Sequence, residues 1–387
     1  MADIKKIDTQ FVANTYARFP ITLVSGKGSI AVDESGKEYI DMGSGIGVTA
    51  FGYCDELWTD AVVKQANTLQ HTSNLFYTLP CANLAKFLCE KTGMSKVFFA
   101  NSGAEANECA IKVARKYASE KKGEEYSTII TLNNSFHGRT LTTLSATGQE
   151  VFHKLFNPLT PGFVHTPAND IDALIKTVNS VKACAIMIET VQGEGGVIAL
   201  DEKFVKAVYE ICQEQDLIFI VDEVQTGNGR TGKLYGYMNY EVYPDLVTTA
   251  KGLGGGLPIG ACLMNEKTSS VLSFGDHGST YGGNPVACAG ALSVISRLDD
   301  EFLSEVCKKS QYVFDFLSKC EGVESVSGKG LMIGIKTVKP AKEVLAICRE
   351  NGVLCLTAKD KLRLLPPLNI PWELLEKALK VIANACK

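Results

Sequence analysis

The sequence lacks the features that would place it in a membrane, on nucleic acid or in an oxidising compartment. No stretch approaches the roughly 20 consecutive apolar residues that a membrane span needs. The first residues, Met1-Ala-Asp-Ile-Lys-Lys-Ile-Asp8, have no apolar core of a secretory signal, so a cytoplasmic protein is expected. There is no polybasic run, and a formal charge of -4 with a pI near 5.9 leaves no basic excess for contacts with phosphate backbones or anionic lipid. The 13 cysteines are an odd number with no Cys-x-x-Cys spacing. Most of them (Cys109, Cys184, Cys212, Cys262, Cys288, Cys348) fall inside apolar patterns, as small core residues do, which argues against a disulfide framework or a metal site. No repeat, low-complexity tract or Pro-rich linker interrupts the chain, so its parts should pack tightly together.

What is present is ample apolar material. The 387 residues are 45% hydrophobic and 21% charged, enough for a large core and, by size, for two or three domains. From about 95 to 250, apolar runs of strand length alternate with segments of helical period. The runs are 96–99, 127–132, 163–166, 183–189, 217–222 and 245–249, with helical patterns such as 104–118 and 201–215 between them. Near-continuous apolar strands with intervening helices predict an α/β fold whose mostly parallel sheet is covered on both faces, with ligands at the carboxyl ends of the strands. Beyond 285 the pattern changes to long helices (285–298 and 301–319), short strands (330–336 and 361–365) and a final helix from Trp372. The expected organisation is an arm over 1–50 with a hairpin at 32–39, a large domain over 51–284 and a smaller α+β domain over 285–387.

Chemistry gathers at the strand ends. Asp222 closes the run Leu217-Ile-Phe-Ile-Val-Asp222, and Lys251 follows the run that ends at Ala250. An amine at a strand end can form a Schiff base with a carbonyl cofactor, and a buried carboxylate can keep a pyridine nitrogen protonated; together they suggest pyridoxal phosphate. In the next residues, Val224 could cover a face of such a ring and Gln225 could reach its phenolic oxygen, while Glu223 has no evident role. Asn101-Ser-Gly-Ala-Glu-Ala-Asn107 opens a helix after a strand. This short polar, Gly-containing turn at a helix N-terminus suits a phosphate, although a plain Ser N-cap explains the same stretch. In Ser135-Phe-His-Gly-Arg-Thr140, Phe136 could stack on a ring and Arg139 could grip a carboxylate in a bidentate fork, and His137 reads as packing. Glu194 stands in the Gly-rich loop after Glu189.

Gly227-Asn-Gly-Arg-Thr-Gly232 matches a dinucleotide fingerprint in letters only. The stretch Lys233-Leu-Tyr-Gly-Tyr-Met238 beyond it has no helical period, so the match does not open the helix on which a pyrophosphate would rest. Lys251 does not belong to a P-loop either, because its glycines come after the lysine.

With these residues laid out, the chain resembles the class III (subgroup II) aminotransferases of PLP fold type I, and among them most closely those acting on acetylornithine. The resemblance runs from Gly43-Ser-Gly-Ile-Gly47 and His71-Thr-Ser-Asn-Leu-Phe-Tyr77 to Lys361-Leu-Arg-Leu-Leu-Pro-Pro367. It includes Gln192-Gly-Glu-Gly-Gly196, Asp222-Glu-Val-Gln-Thr-Gly227, Ala250-Lys-Gly-Leu-Gly-Gly-Gly256 and His277-Gly-Ser-Thr-Tyr-Gly-Gly-Asn-Pro285 in the family's order. The resemblance implies pyridoxal 5′-phosphate on Lys251, Asp222 at its ring nitrogen, Ser102, Gly103 and Ala104 around its phosphate, and Phe136 and Val224 on its two faces. It implies a homodimer, with Thr280 reaching the phosphate of the neighbouring subunit's cofactor and Ser279 near the substrate there. Arg139 is implied to bind the α-carboxylate of N-acetylornithine and the side-chain carboxylate of glutamate or 2-oxoglutarate. Arg363 would hold the glutamate α-carboxylate, with Glu194 neutralising it when that carboxylate is absent. The implied activity is reversible transfer of the terminal amino group of N-acetylornithine to 2-oxoglutarate, as in arginine biosynthesis. Ornithine, succinylornithine, succinyldiaminopimelate or 4-aminobutyrate aminotransferases remain alternatives, as do an aminomutase and a binding protein without turnover. The Glu194 and Arg363 pair speaks against a mutase, and an intact Lys251 against a dead binder.

Overall fold

A computed structural model describes residues 4–387, so the first three residues of the expected arm lie outside the described residues. The centre of the molecule is a seven-stranded sheet, in the spatial order Lys96–Ala100, Gly260–Met264, Leu246–Thr249, Ile218–Asp222, Ala183–Ile188, Thr128–Leu132 and Phe163–Thr166. Six of these strands correspond to the expected apolar runs. The seventh, Gly260–Met264, was not anticipated; it runs antiparallel to both of its neighbours. The remaining pairs are parallel, so the mostly parallel sheet is borne out. The central strands Ala183–Ile188 and Ile218–Asp222 are buried along their whole length, as expected of a sheet with both faces covered.

The expected helices form with small shifts at their ends. Gly103–Lys122 buries Ala106, Ala110, Ile111 and Ala114 against the sheet. Glu202–Glu214 is amphipathic, with Phe204, Val205, Val208 and Cys212 inward. The hairpin expected at 32–39 pairs Ile30–Asp33 with Glu38–Asp41, and the second of these strands continues in parallel with Val353–Leu354 near the other end of the chain. A second sheet, Val323–Lys329, Met332–Thr337, Lys361–Leu364 and Leu356–Ala358, is antiparallel and carries Arg363 opposite Gly334. Among the described residues no helix is long and apolar enough to cross a membrane.

Strands that run in parallel end at one edge, and this places the site. Ala100, Leu132, Ile188, Asp222 and Thr249 are the last residues of their strands, so the segments beyond them converge there.

Candidate active site

At that edge lies a cavity of about 440 Å³, lined among others by Ser102, Gly103, Ala104, Phe136, Arg139, Glu189, Asp222, Val224, Gln225 and Lys251. Nine residues singled out from the sequence thus share one cavity; Glu189 joins them.

Lys251 leaves its strand in a left-handed backbone conformation (φ 43°), which turns its side chain into the cavity. No hydrogen bond is made by its Nζ among the described residues. Burial lowers the Lys251 pKa below that of a free lysine, and Glu194 and Asp222 oppose the shift. An amine held this way is a better nucleophile and base near neutral pH than an exposed lysine.

Asp222 is fixed by three donors. Its Oδ2 accepts from Asn107 Nδ2 at 2.8 Å and lies 2.8 Å from His137 Nδ1, and its Oδ1 accepts from the Val224 N–H at 3.0 Å. Asn107 is held in turn, because it also donates to the His137 carbonyl at 2.7 Å and accepts from Thr248 Oγ1 at 2.6 Å. With the Asp222 carboxylate as acceptor, the His137 proton sits on Nδ1, and Nε2 is buried without a partner. The sequence reading of His137 as packing is therefore incomplete: it helps to orient the carboxylate. Asn107 was assigned no role from the sequence. Asn107→Leu is expected to destabilise the protein by about 1–3 kcal/mol by stranding these buried partners; chemical denaturation measures it, and an unchanged midpoint would show that the network holds nothing.

The Gly103–Lys122 helix points its N-terminus at the same cavity. Ser102 Oγ accepts from the Glu105 N–H at 3.2 Å, which makes it the expected cap. The N–H groups of Gly103 and Ala104 occupy the first helical turn and have no intrahelical acceptor. A Cβ on Gly103 would lie 2.7 Å from Val224, so glycine is required for this close approach. The cap and the phosphate site are therefore compatible readings of the same residues.

Phe136 is held by its N–H, which donates to Glu189 Oε2 at 2.9 Å. Burial, and then the charge of Asp222, holds the Glu189 carboxyl well above the usual carboxylate range. Arg139 is exposed at the rim, its guanidinium 5.4 Å from the Phe136 ring centroid and 4.2 Å from that of Phe152. Both rings orient its fork.

Arg363 is buried, and its Nη1 donates to Glu194 Oε1 at 2.6 Å and to Gln225 Oε1 at 3.3 Å. Its Nε has no partner. Burial alone would raise the Glu194 pKa, but Arg363, with Lys251 nearby, outweighs burial and leaves it below the usual range. Ser279 accepts from Asn101 Nδ2 at 3.2 Å beside the cavity. Thr280 is exposed and does not line the cavity.

Glu223, without a role in the sequence reading, is fully buried and accepts from Thr226 Oγ1 and from the Gly236 and Tyr237 N–H groups at 2.6, 2.8 and 2.7 Å. It folds the segment after the strand onto the short helix Gly236–Asn239. Lysine, aspartate and a helix N-terminus around one cavity can attach, charge-balance and anchor a small phosphorylated carbonyl compound. The close approach at Gly103, the unpartnered Lys251 amine and the fixed Asp222 carboxylate fit such a group.

Comparison with known proteins agrees with this chemistry. The family model "Aminotransferase class-III" matches residues 11–386. An acetylornithine aminotransferase from Haemophilus ducreyi is 52% identical over 383 residues, covering 98% of each chain. One from Caldanaerobacter subterraneus is 47% identical over 382 residues, covering 97% of each. Among solved structures, an ornithine aminotransferase from Toxoplasma gondii superposes with a TM-score of 0.94 at 32% identity, covering 99% of this chain and 94% of that one. An N-acetylornithine aminotransferase from Stenotrophomonas maltophilia gives 0.85 at 34%, covering 98% and 97%.

Proposed function

Since the chain belongs to the class-III aminotransferases, a family of PLP fold type I, we propose that it moves the terminal amino group reversibly between N-acetylornithine and 2-oxoglutarate, giving N-acetylglutamate 5-semialdehyde and glutamate, within arginine biosynthesis in the cytoplasm. The observation that carries this reading is the Arg363–Glu194 pair, which adjoins the cavity through Gln225, a lining residue that bonds to both. It supplies a second carboxylate site that can be switched off, as two dissimilar substrates require. The relatives' names add the acetylated substrate.

Pyridoxal 5′-phosphate, when bound, supplies an aldehyde that accepts the amino group and a protonated ring that draws off the electron pair left on the substrate carbon. Lys251 Nζ would be its attachment point and, once free, the base that takes the proton from the substrate's reacting carbon. Asp222, held by Asn107 and His137, would face the ring nitrogen; Gln225 would face the phenolic oxygen. The first-turn N–H groups at Ser102, Gly103 and Ala104 would hold the phosphate, and Phe136 and Val224 would flank the ring. Arg139 would bind the carboxylate distant from the reacting carbon in both substrates. Arg363 would bind the glutamate α-carboxylate after Glu194 swings aside, and with N-acetylornithine Glu194 would stay and cancel its charge, since an unpaired buried guanidinium is costly.

Thr280 and Ser279 would complete the site of a second copy. Exposed Leu75, Phe76, Tyr77, Phe274 and Tyr281 flank them and support a homodimer, which sedimentation would return as a two-chain mass. The arm, large and small domains drawn at 50 and 284 belong to the same proposal.

Turnover on N-acetylornithine, ornithine and 4-aminobutyrate tests the substrate. The acetylated amine is expected to be fastest, and equal or better rates on ornithine would replace this reading with the ornithine one. A pH prediction has a definite sign. Glu194 is foremost among the carboxylates that raise the Lys251 pKa, and the amine must be neutral to take a proton. Glu194→Gln should therefore move the acid limb of kcat for N-acetylornithine, which reports the substrate complex in which Lys251 is free, to lower pH. A limb that stays put or moves up contradicts the assignment of that limb to Lys251.

A further inference from the structure

Gly227–Gly232, the false dinucleotide fingerprint, spans the two sides of the active site. Near its start, Asn228 Nδ2 donates to Thr249 Oγ1 at 3.0 Å and to the Ala250 carbonyl at 3.1 Å, the residues just before Lys251. Two residues on, Arg230 is 2% exposed, and no carboxylate forms an ion pair with it among the described residues. Its Nη1 donates to the Leu331 carbonyl at 3.1 Å and to the Pro366 carbonyl at 2.6 Å, and its own carbonyl accepts from the Leu331 N–H at 2.9 Å. Leu331 immediately precedes the strand Met332–Thr337, and Pro366 lies just past the strand Lys361–Leu364. These two strands pair with Gly334 opposite Arg363. At the turn before them, a Cβ on Gly330 would collide with the Arg230 carbonyl oxygen, so the two segments meet backbone to backbone. Gln225, which Arg363 also touches, lies on the same segment as Arg230.

We propose that Arg230 is a positioning residue that sets the distance between Lys251 and Arg363, and through it the fit of the substrate whose α-carboxylate Arg363 binds. A buried guanidinium serves here because its rigid plane fixes the directions of the two Nη1 hydrogens, which hold two carbonyls from different strand ends, whereas the rotating lysine ammonium fixes neither. Burial pulls its pKa down to about 9, with Asp41 opposing the shift, and the group remains charged at neutral pH. The inference rests on the assignment of Arg363 to glutamate and 2-oxoglutarate above. It adds that the two half-reactions depend unequally on a residue that touches neither substrate.

The test uses the holoenzyme with Arg230→Gln and Arg230→Lys, two single-turnover half-reactions, and calorimetric titration with glutarate, a dicarboxylate that cannot react. For Arg230→Gln, the apparent affinities for glutamate and glutarate should weaken about tenfold or more, while kcat/KM for N-acetylornithine stays within about threefold of the parent. Arg230→Lys keeps the charge and a donor nitrogen but not the fixed plane, so it should show the same split with smaller amplitude, and it carries the test if the glutamine variant does not fold. Equal losses in both half-reactions, or unchanged glutarate affinity, overturn the proposal. A parent enzyme that fails to respond to glutamate would instead overturn the reading of Arg363 on which it rests.

Discussion

Lys251→Ala is expected to lose turnover by more than about 10⁴-fold, beyond what removal of a single general base ordinarily costs, because the same amine would serve both as attachment point and as base. Pyridoxal 5′-phosphate should still bind, held without a covalent bond by the N-terminus of the Gly103–Lys122 helix and by Asp222. The variant should keep the parent's circular dichroism, since among the described residues Lys251 Nζ supports no other group through a hydrogen bond. Steady-state rates with saturating cofactor decide the matter. Multiple turnovers near the parent rate would remove Lys251 from the mechanism.

The second large effect is selective. Arg363→Leu should reduce kcat/KM for glutamate by about 10²–10³-fold, in keeping with the 2–5 kcal/mol usually lost when one partner of a buried, hydrogen-bonded charge pair is truncated. The N-acetylornithine half-reaction should fall by less than about tenfold. It would need Arg363 only as a cation to be cancelled, and leucine leaves nothing to cancel. Glu194 would lose its partner, and burial would then raise its pKa toward the neutral form. Single-turnover measurements with each amino donor separate the cases, and equal losses would mean that the Arg363–Glu194 pair is structural.

The two parts of this site most legible in the sequence, Asp222 and Lys251, share one property: each is a charged residue at the end of an apolar run. Asp222 and Lys251 stand out because a charge after several strand residues must lie at the sheet edge, where parallel strands gather ligands. The groups that orient them leave no such mark. Asn107 lies 115 residues from Asp222 in the chain and His137 lies 85, so only the folded sheet brings them together. Glu223 and Arg230 stayed unexplained because most of their partners are backbone groups, which any sequence provides. The strand Gly260–Met264 was missed for a related reason: its short apolar run comes after a glycine cluster, and nothing in residue pattern announces that a strand enters its sheet antiparallel. Length and period set the helices well, since Gly103–Lys122 and Glu202–Glu214 each carry an apolar stripe of helical spacing.

The most direct measurement is chemical. The protein loaded with pyridoxal 5′-phosphate should be reduced with borohydride, digested and mapped by mass spectrometry. A pyridoxyl adduct on the peptide containing Lys251, and absent from the Lys251→Ala variant, is the predicted result; an adduct on another lysine, or none, would contradict the account at its centre.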